Sequence, residues 1–274
     1  MTDPRRLFDS YLRQRTELGE RFLVLERSRE HAAITPAPRT VPVTAARGQS
    51  QPPAGRGRRG DWRNEAPAIP GPGIAVPVPG EDLFTADPLR GATLETIADL
   101  VRACRKCQLC HGRANAVPGE GAADARLVVV GEGPGATEDE TGRPFVGRAG
   151  ELLTDILAAI ELPRERVFIC NIVKCRAPNN RRPQQDEIES CVPYLYAQLE
   201  RIRPQVILAM GGTAAETLLN TKQSLASLRN RVHSFRGTPL IVTYHPAALL
   251  RNPHWKKPTW DDVRIARQLL DARA

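Results

Sequence analysis

The sequence predicts an α/β fold in which a central, mostly parallel four-stranded sheet lies between two layers of helices. Three observations support this three-layer αβα arrangement. Four short runs rich in β-branched residues, each closed by Gly, Asn or His, resemble buried parallel strands and cover 127–130, 167–171, 206–210 and 240–244. Segments with helical spacing alternate with them, at 93–107, 147–160, 183–201, 212–219 and 259–272. The composition changes near residue 92, so the folded domain is expected over 92–274.

The first 91 residues differ in composition from the rest of the chain. Leu7, Tyr11 and other apolar residues among many charges have mostly helical spacing, which predicts an amphipathic helix over 1–30. The stretch 36–88 holds 11 of the 24 prolines, several glycines and two aromatic residues. Such a stretch buries too little apolar surface to offset its ordering entropy. Residues 31–91 are therefore predicted to form a disordered, basic and proline-rich linker.

Charge and hydropathy narrow the class of protein. Lys and Arg outnumber Asp and Glu by 39 to 31, and the formal net charge of +8 suits a polyanionic partner. The N-terminus alternates charged and apolar residues, and no stretch approaches the roughly 18 apolar residues of a membrane span. We therefore expect a monomeric cytoplasmic protein, associated with the nucleoid and without a membrane partner. In that reducing compartment, the six cysteines are expected to be metal ligands and buried thiols.

Chemically distinctive residues follow each predicted strand. The Gly-rich loop 131–135 follows the first strand, and Asn171 ends the second. Gly211 follows the third strand, and His245 follows the fourth. Ligands collect at the carboxyl ends of parallel strands, so these residues together with Phe145 predict a pocket at this edge of the sheet. A Gly-rich loop alone is a weak signal that also suits phosphate binding.

Four cysteines have a spacing that is typical of metal ligands. Cys104 and Cys107 are close enough for two thiolates at one helix end to reach one metal, whereas Cys175 and Cys191 must be brought there by the fold. The spacing matches neither a zinc ribbon nor the compact bacterial ferredoxin run, so zinc and an iron–sulfur cluster both stay open. Cys110 could replace one of these ligands. The sixth cysteine lies inside a predicted strand and is interpreted as a small buried hydrophobe.

Five segments of the chain resemble the family 4 uracil-DNA glycosylases, which carry a [4Fe-4S] cluster. They are CRKCQLCHGR at 104–113, GEGPGATEDETGRPFVGRAG at 131–150, CNIVKCRAPNNRRP at 170–183, the isolated Cys191, and HPAALLRNP at 245–253. Their order, spacing and detail make the joint match specific, and it covers about 92–274. The resemblance implies that Cys104, Cys107, Cys175 and Cys191 hold the cluster, and that the other two cysteines do not.

The resemblance also implies an activity and the residues that perform it. Such an enzyme flips uracil out of DNA and hydrolyses its N-glycosidic bond, which leaves an abasic site and begins base excision repair. Negative charge then collects on uracil O2 and O4, so donors aimed at that charge are expected to dominate catalysis. His245, as a neutral imidazole, is expected to donate near O2. Asn171 is expected to select uracil by donating to O4 and accepting from N3–H, while Phe145 offers a face for stacking.

The Gly-rich loop contributes the remaining predicted pocket residues. Glu132, Gly133 and Pro134 are expected to contact the base, with main-chain amides available to uracil O2. The resemblance places Gly133 where related glycosylases keep a water-activating Asp. Glu132 and Glu138 are therefore candidates for orienting water or stabilising the positive sugar, and Glu138 is also a candidate for excluding thymine by crowding C5. Asp139 is a third candidate for these roles, and the equally weighted alternative is that it is a solvated surface acid.

Two segments are expected to contact DNA. Leu249 and Leu250 follow the His-Pro pair, where an apolar wedge would fill the gap left by the flipped base while Arg251 meets a phosphate. The same leucines could instead start a helix and face the core. Asn180 and Arg181 belong to a second basic loop, which the cluster would fix in place through the cysteine before it. The N-terminal arm is a candidate for binding DNA or a repair or replication protein.

Three alternative functions compete with this one. A close relative within the superfamily traps uracil-DNA covalently through a histidine in the loop after the third cysteine, but 176–183 contains none. A non-catalytic iron–sulfur DNA-binding or polymerase-accessory module would keep the cysteines but would need neither Asn171 nor His245. A nucleotide enzyme would need a GxxxxGK[ST] loop or an acidic anchor about 20 residues further on, and neither is apparent.

Overall fold

The computed structural model describes residues 62–63, 65–78 and 89–273. The predicted helix over 1–30 and most of the predicted linker lie outside these residues. None of the helices in the described part of the chain has the length and apolar character needed to span a membrane.

Seven strands of the described residues form a single sheet. They are β1 (Pro72–Val76), β2 (Glu120–Gly121), β3 (Leu127–Gly131), β4 (Phe168–Asn171), β5 (Val206–Met210), β6 (Val232–Phe235) and β7 (Thr238–Thr243). Their order across the sheet is β1-β6-β7-β5-β3-β4-β2. The four central strands β7, β5, β3 and β4 are parallel and correspond to the four predicted apolar runs. The mostly parallel sheet is confirmed, but it has seven strands instead of four, because three short outer strands without such runs extend it.

Helices cover both faces of this sheet. They are α1 (Leu94–Ala103), α2 (Leu109–Gly112), α3 (Ala136–Thr141), α4 (Arg148–Ala159), α5 (Gln185–Ile202), α6 (Gly212–Leu219), α7 (Leu225–Leu228), α8 (Pro246–Arg251) and α9 (Lys256–Asp271). Val128 and Val130 of β3 belong to one apolar core with α1, α5 and α6. Leu127 and Val129 belong to the other core with α4 and α9. This alternation along a strand confirms the three-layer αβα prediction.

The first helix is shorter than its pattern predicted, and this matters for the cysteines. The Thr93 side chain accepts a hydrogen bond from Thr96 N and caps the start of α1. The helix ends at Ala103 because Cys104 has an extended backbone, with φ −63° and ψ 136°. Cys104 and Cys107 therefore lie in an irregular segment between α1 and α2 and not on a helix.

Residues 65–78 correct the prediction of a disordered linker. β1 pairs in parallel with β6, and a Cβ at Gly73 would lie only 2.5 Å from His233 Nδ1, so glycine lets the two strands approach. Side chains of α9 donate hydrogen bonds to the carbonyls of Glu65 and Pro67. Proline and glycine are tolerated in an outermost strand. The composition that indicated a linker is thus compatible with a strand at the edge of the sheet.

Candidate active site

A cavity of about 690 Å³ opens at the carboxyl ends of the central strands. Its volume lies within the range that is usual for small-molecule sites. The predicted site residues that line it are Glu132, Gly133, Pro134, Glu138, Phe145, Asn171, Asn180, Arg181, His245 and Arg251. The structure therefore brings together residues that are more than 100 positions apart in the sequence.

Asn171 ends β4 with a side chain that is 1% exposed. Within the described part of the chain, its buried Oδ1 has no hydrogen-bond partner. Gly131 pairs with Asn171 across the sheet, and a Cβ on Gly131 would lie 2.4 Å from that Oδ1 and 2.6 Å from Phe145 Cζ. Because residue 131 has no side chain, the Asn171 amide and the Phe145 ring can both lie against its backbone. A buried acceptor without a partner costs about 1–3 kcal/mol, which suits a group that a ligand completes.

Phe145 is held by its backbone. Its φ of +50° is unusual for a residue other than glycine. Arg164 Nη1 donates to the Phe145 carbonyl at 2.9 Å, and a Cβ on Gly150 would lie 1.9 Å from the same oxygen. The first turn of α4 therefore packs directly against this carbonyl. The ring lies 5.3 Å from the His245 ring, centroid to centroid, so the two rings are in contact within the pocket.

His245 follows β7 and is the N-cap of α8. Its Nδ1 accepts a hydrogen bond from Ala247 N at 3.2 Å, so in the neutral ring the proton is on Nε2. Burial is the main reason that the pKa of His245 is lowered to about 4. The nearby positive charge of Arg251 acts in the same direction, and the Glu138 carboxylate opposes it. Near neutral pH the ring is therefore an uncharged donor through Nε2–H.

The Glu138 carboxylate is bound to backbone amides. Its Oε1 accepts from Val146 N at 2.8 Å and from Gly147 N at 2.9 Å, and its Oε2 accepts from Gly135 N at 3.1 Å. These three bonds join the Gly-rich loop to the segment after Phe145. The contacts are those of a residue that positions the pocket wall.

Two other acids of this loop differ in their surroundings. Glu132 is partly exposed, lines the pocket, and accepts a hydrogen bond from the Thr213 hydroxyl at the start of α6. Asp139 is 5% exposed and accepts from the backbone amides of Ala114 and Asn115. The interpretation of Asp139 as a solvated surface acid is wrong, because its carboxylate anchors the segment after the first three cysteines.

Some of the residues predicted to contact DNA are exposed, whereas others are buried or form contacts within the protein. Leu250 is 40% exposed and Arg251 is exposed, whereas Leu249 is 1% exposed in the core. The prediction that Leu249 forms part of a wedge is wrong, because α8 turns this side chain inward. Arg181 donates to both carboxylate oxygens of the buried Glu187, at 2.8 and 2.6 Å. Its guanidinium is therefore committed to an internal ion pair.

Five cysteines surround a second cavity, which we call the cysteine cavity. They are Cys104, Cys107, Cys110, Cys175 and Cys191. The sixth, Cys170, lies in β4 and donates to Val129 O at 3.7 Å. Its burial in the strand agrees with the sequence interpretation of a small buried hydrophobe. Cys110 lines the cavity with the others, so its position does not set it apart from them.

The cysteine cavity has the chemistry of a site for a sulfur-ligated group. Arg113 Nη1 donates to Cys175 Sγ at 2.9 Å, and Lys174 N donates to Cys191 Sγ at 3.2 Å. Burial raises the pKa of the Cys175 thiol and raises the pKa of the Cys191 thiol to about 12. No set of three or more His, Cys, Asp or Glu in the described ranges is arranged to hold one metal ion. The metal-binding groups in the lining of this cavity are thiols, which suit zinc or an iron–sulfur cluster.

Lys174 connects the two cavities, and sequence reasoning missed it. Its Nζ donates to Asn171 O at 2.9 Å and to Gln198 Oε1 at 2.8 Å, while its backbone amide contacts the Cys191 sulfur. The side chain is 1% exposed, and this burial lowers the pKa of Lys174. The available signal was its position between Asn171 and Cys175.

Sequence reasoning also missed two aromatic residues of the pocket. Tyr244 and Trp255 both line it and stack at 4.6 Å with an interplanar angle of 6°. The Arg229 guanidinium lies 4.5 Å from the Tyr244 centroid. Tyr244 therefore contacts both the Trp255 indole and the Arg229 guanidinium. The available signals were the aromatic residue directly before His245 and the basic residues around Trp255.

Comparisons with known proteins agree with this architecture, which is that of an α/β protein with a pocket at its strand ends. The family model for the uracil DNA glycosylase superfamily matches residues 118–266. The chain is 46% identical over 189 residues to the Type-4 uracil-DNA glycosylase of Saccharolobus solfataricus, covering 66% of this chain and 88% of that protein. It is 48% identical over 165 residues to that of Thermotoga maritima, covering 60% and 86%. The Type-5 enzyme of Thermus thermophilus is 30% identical over 156 residues, covering 48% and 69%. The chain belongs to the uracil DNA glycosylase superfamily.

Proposed function

We infer that this protein is a uracil-DNA glycosylase, a hydrolase that flips uracil out of DNA and cleaves its bond to the sugar. The relatives named Type-4 uracil-DNA glycosylase support this activity, because the chain covers 84–94% of their lengths. The single observation that carries the proposal is the unpartnered Asn171 Oδ1 beside the Phe145 ring, which is itself in contact with His245. A uracil with its N3–H toward that oxygen completes the site.

Recognition follows from the hydrogen-bonding pattern of the base. Asn171 Oδ1 accepts from N3–H of uracil, and the amide nitrogen donates to O4. Cytosine has a bare N3 and an amine in place of O4, so it meets acceptor with acceptor and donor with donor. Turning the amide over would restore the match for cytosine. The proposal therefore requires that the buried amide keep the orientation that fits uracil. Discrimination therefore arises from a buried amide that cannot adapt freely.

Bond cleavage follows from the charge that develops on the leaving base. As the bond between N1 and the sugar lengthens, negative charge grows on uracil O2, and His245 Nε2–H donates to it. The His245 ring is neutral before the step and already carries the Nε2–H. Its hydrogen bond to O2 therefore strengthens as the anion forms, with no change in the protonation of the ring. Uracil leaves with the electron pair of the broken bond, water adds to the sugar carbon, and the proton that this water loses neutralises the uracil anion.

The two candidate carboxylates are proposed to have different tasks. Glu132 lines the pocket with one carboxylate oxygen held by Thr213, so we propose it as the group that orients the attacking water. Glu138 uses both of its oxygens on loop amides, so we propose it as a positioning residue. In this proposal Glu138 does not contact the C5 position of the base, in contrast to the hypothesis that it excludes thymine directly.

We propose that Cys104, Cys107, Cys175 and Cys191 hold a [4Fe-4S] cluster in the cysteine cavity. The five thiols in the lining and the donors to two of the sulfurs support this. The bound cluster would supply structural cross-links between segments that lack regular secondary structure. Among these segments is the loop that carries Asn180 and Arg181. We also propose that exposed Leu250 and Arg251 contact DNA, and that the protein acts as a monomer in the cytoplasm.

One assay tests the proposed function. Anaerobically purified protein is incubated with single- and double-stranded oligonucleotides that contain uracil, and abasic product is cleaved with alkali. His245→Asn keeps an N-cap acceptor for α8 but removes the ring donor, so its single-turnover rate constant is expected to fall about 10²- to 10³-fold. Asn171→Ala is expected to weaken uracil excision and to reduce the preference for uracil over cytosine. Asn220→Gly, at the exposed C-cap of α6, is the matched control and is expected to behave as wild type.

The assay also separates the proposed enzyme from the alternative of a non-catalytic module. Iron and inorganic sulfide are measured on the same preparation. Wild-type protein that contains the cluster, binds DNA and leaves every uracil uncut would overturn the proposal in favour of that module.

A further inference from the structure

The segment 251–257 places an aromatic ring among positive charges at the pocket. Its sequence is RNPHWKK, and Arg251, Lys256 and Lys257 are exposed while Trp255 is partly buried. Lys257 has an ion pair with Asp261 at 3.5 Å, but its side chain remains 85% exposed. Within the described part of the chain, neither Arg251 nor Lys256 forms an ion pair. Two of the three cations of this surface therefore have no acidic partner there.

Trp255 is fixed in position. Its backbone amide donates to Asn252 O at 3.1 Å, and its carbonyl accepts from the Thr259 hydroxyl at 2.8 Å. Tyr244 stacks against one face of the indole. The Arg229 guanidinium lies over the Tyr244 ring, 4.5 Å from its centroid. The ring is therefore ordered before any ligand arrives.

The support behind this stack is buried and highly connected. Arg229 donates to both oxygens of Asp262, at 2.7 and 3.0 Å, and Asp262 also accepts from Thr243 Oγ1 at 2.8 Å. Asp262 is 2% exposed, so this network anchors the stack in the core of the fold. A ring stacked in this way covers one face of the indole only. Over the described residues, no second ring or cation lies on Trp255.

The position of Trp255 relates it to the path of DNA. The same pocket is lined by Trp255 and by the Phe145–His245 pair that receives uracil in the proposed function. The nucleotides on either side of a flipped uracil must pass the rim of this pocket, where the exposed cations of 251–257 meet phosphates. An aromatic face beside a cationic path is the usual means by which proteins bind unpaired bases without reading their sequence.

We propose that Trp255 is a stacking site for the unpaired nucleobase next to the flipped uracil, with Arg251 and Lys256 on the flanking phosphates. This inference rests on the proposed uracil excision. The ligand class is a single-stranded or locally opened stretch of DNA. The site adds binding energy outside the base pocket and does not depend on which base is adjacent.

A double-mutant cycle between Trp255 and the flanking base tests the proposal. Wild type, Trp255→Ala and Trp255→Phe are compared on single-stranded oligonucleotides in which the nucleotide on one side of uracil is either normal or a tetrahydrofuran abasic analogue. With both neighbours present, Trp255→Ala is expected to raise KM about 5- to 150-fold, the range of one stacked base, with little change in kcat. Trp255→Phe is expected to recover most of that loss. With the stacked neighbour removed, wild type and Trp255→Ala are expected to converge.

A binding measurement tests the same contact without catalysis. An oligonucleotide with 2′-fluorodeoxyuridine resists cleavage, and its binding is expected to quench tryptophan fluorescence in wild type and in Trp260→Phe. Trp260 is the matched control because it lies in α9 outside the pocket lining. The same oligonucleotide is expected to leave the fluorescence of Trp255→Phe nearly unchanged.

The possible failures are distinguishable. If wild type excises no uracil from any oligonucleotide, the proposed function fails, whatever Trp255 does. If wild type is active and Trp255→Ala loses the same factor with and without each flanking base, the stacking site is overturned. Thermal unfolding of both variants shows whether a loss comes from the fold instead, and a folded Trp255→Ala with an unchanged KM also overturns the proposal.

Discussion

The base pocket and the cysteine cavity are built in opposite ways. Asn171 and His245 stand at the ends of parallel strands, where the sheet fixes them before any ligand binds. Of the proposed cluster ligands, Cys104 and Cys107 lie in the irregular segment after α1, Cys175 lies in a loop, and only Cys191 lies inside a long helix. The pocket is therefore preorganised by the fold, whereas the cysteine cavity depends on the group that its thiols bind. Substitutions in each of the two sites test this difference.

The largest effect is expected from a cluster ligand. Cys191→Ser should lose iron and inorganic sulfide and lower the free energy of unfolding by more than about 4 kcal/mol, as loss of a metal site can. The checks are metal analysis and thermal unfolding. Cys170→Ala is the control, because this thiol lies in β4 outside the cavity, and it should keep full iron content. Full iron in Cys191→Ser that disappears in the double variant with Cys110→Ser would identify Cys110 as a replacement ligand.

A smaller loss of stability is expected where the two cavities meet. Lys174→Met leaves Asn171 O and Gln198 Oε1 buried without a donor, which costs about 1–3 kcal/mol for each acceptor. Uracil excision should fall while the cluster absorbance is retained. Unfolding curves and single-turnover kinetics measure both effects, with the exposed Lys222→Met as control. Unchanged stability and rate in Lys174→Met would show that the pocket and the cysteine cavity are independent.

Removal of the Glu138 carboxylate tests how far the pocket is preorganised. Glu138→Ala frees three loop amides, so excision of uracil should slow by about 10- to 100-fold through misplacement of the Phe145 segment. Thymine should still be refused. The hypothesis that Glu138 crowds C5 predicts instead that this variant releases thymine. Assays with uracil and thymine oligonucleotides decide, with the exposed Glu140→Ala on the same helix as control.

The smallest effect is expected from pH. The pKa of His245 is about 4, below the ordinary value of 6.5, so the ring stays neutral from pH 8 down to about pH 5. The single-turnover rate constant should show no acid limb from His245 near pH 6.5. The unfolded chain takes up this proton near pH 6.5, whereas the folded protein does so only near pH 4. The contribution of His245 to stability is thus complete above pH 6.5 and is lost as pH falls toward 4. Rate and unfolding profiles of wild type and His245→Asn check this, and an acid limb near 6.5 in wild type alone would contradict it.

The central strands and the residues at their ends were predictable because their signals are local. A buried parallel strand is a continuous apolar run, and the residues directly after such strands must lie at one edge of the sheet. Asn171 and His245 were found in this way. β1 was missed because an outer strand needs only a few paired residues and tolerates proline, so its composition resembles that of a linker.

Side-chain direction was harder to predict than side-chain identity. Leu249 and Leu250 are neighbours of the same type, yet the turn of α8 buries the first and exposes the second. Arg181 has the composition of a phosphate ligand but pairs with Glu187, which lies on the next helix. Trp255 contacts Tyr244 only through tertiary packing, so no periodicity indicates it. These assignments required the packing of helices against the sheet.

One position limits how this pocket can vary. Residue 131 is bound into the centre of the sheet in register with Asn171, so its backbone cannot retreat. Even the smallest side chain there would collide with the amide of Asn171 and the ring of Phe145. A variant of this sequence with alanine at residue 131 would keep its sheet and its cysteines. The Asn171 amide and the Phe145 ring, however, would be pushed apart. The pocket therefore requires glycine at residue 131, whose side chain is a single hydrogen atom.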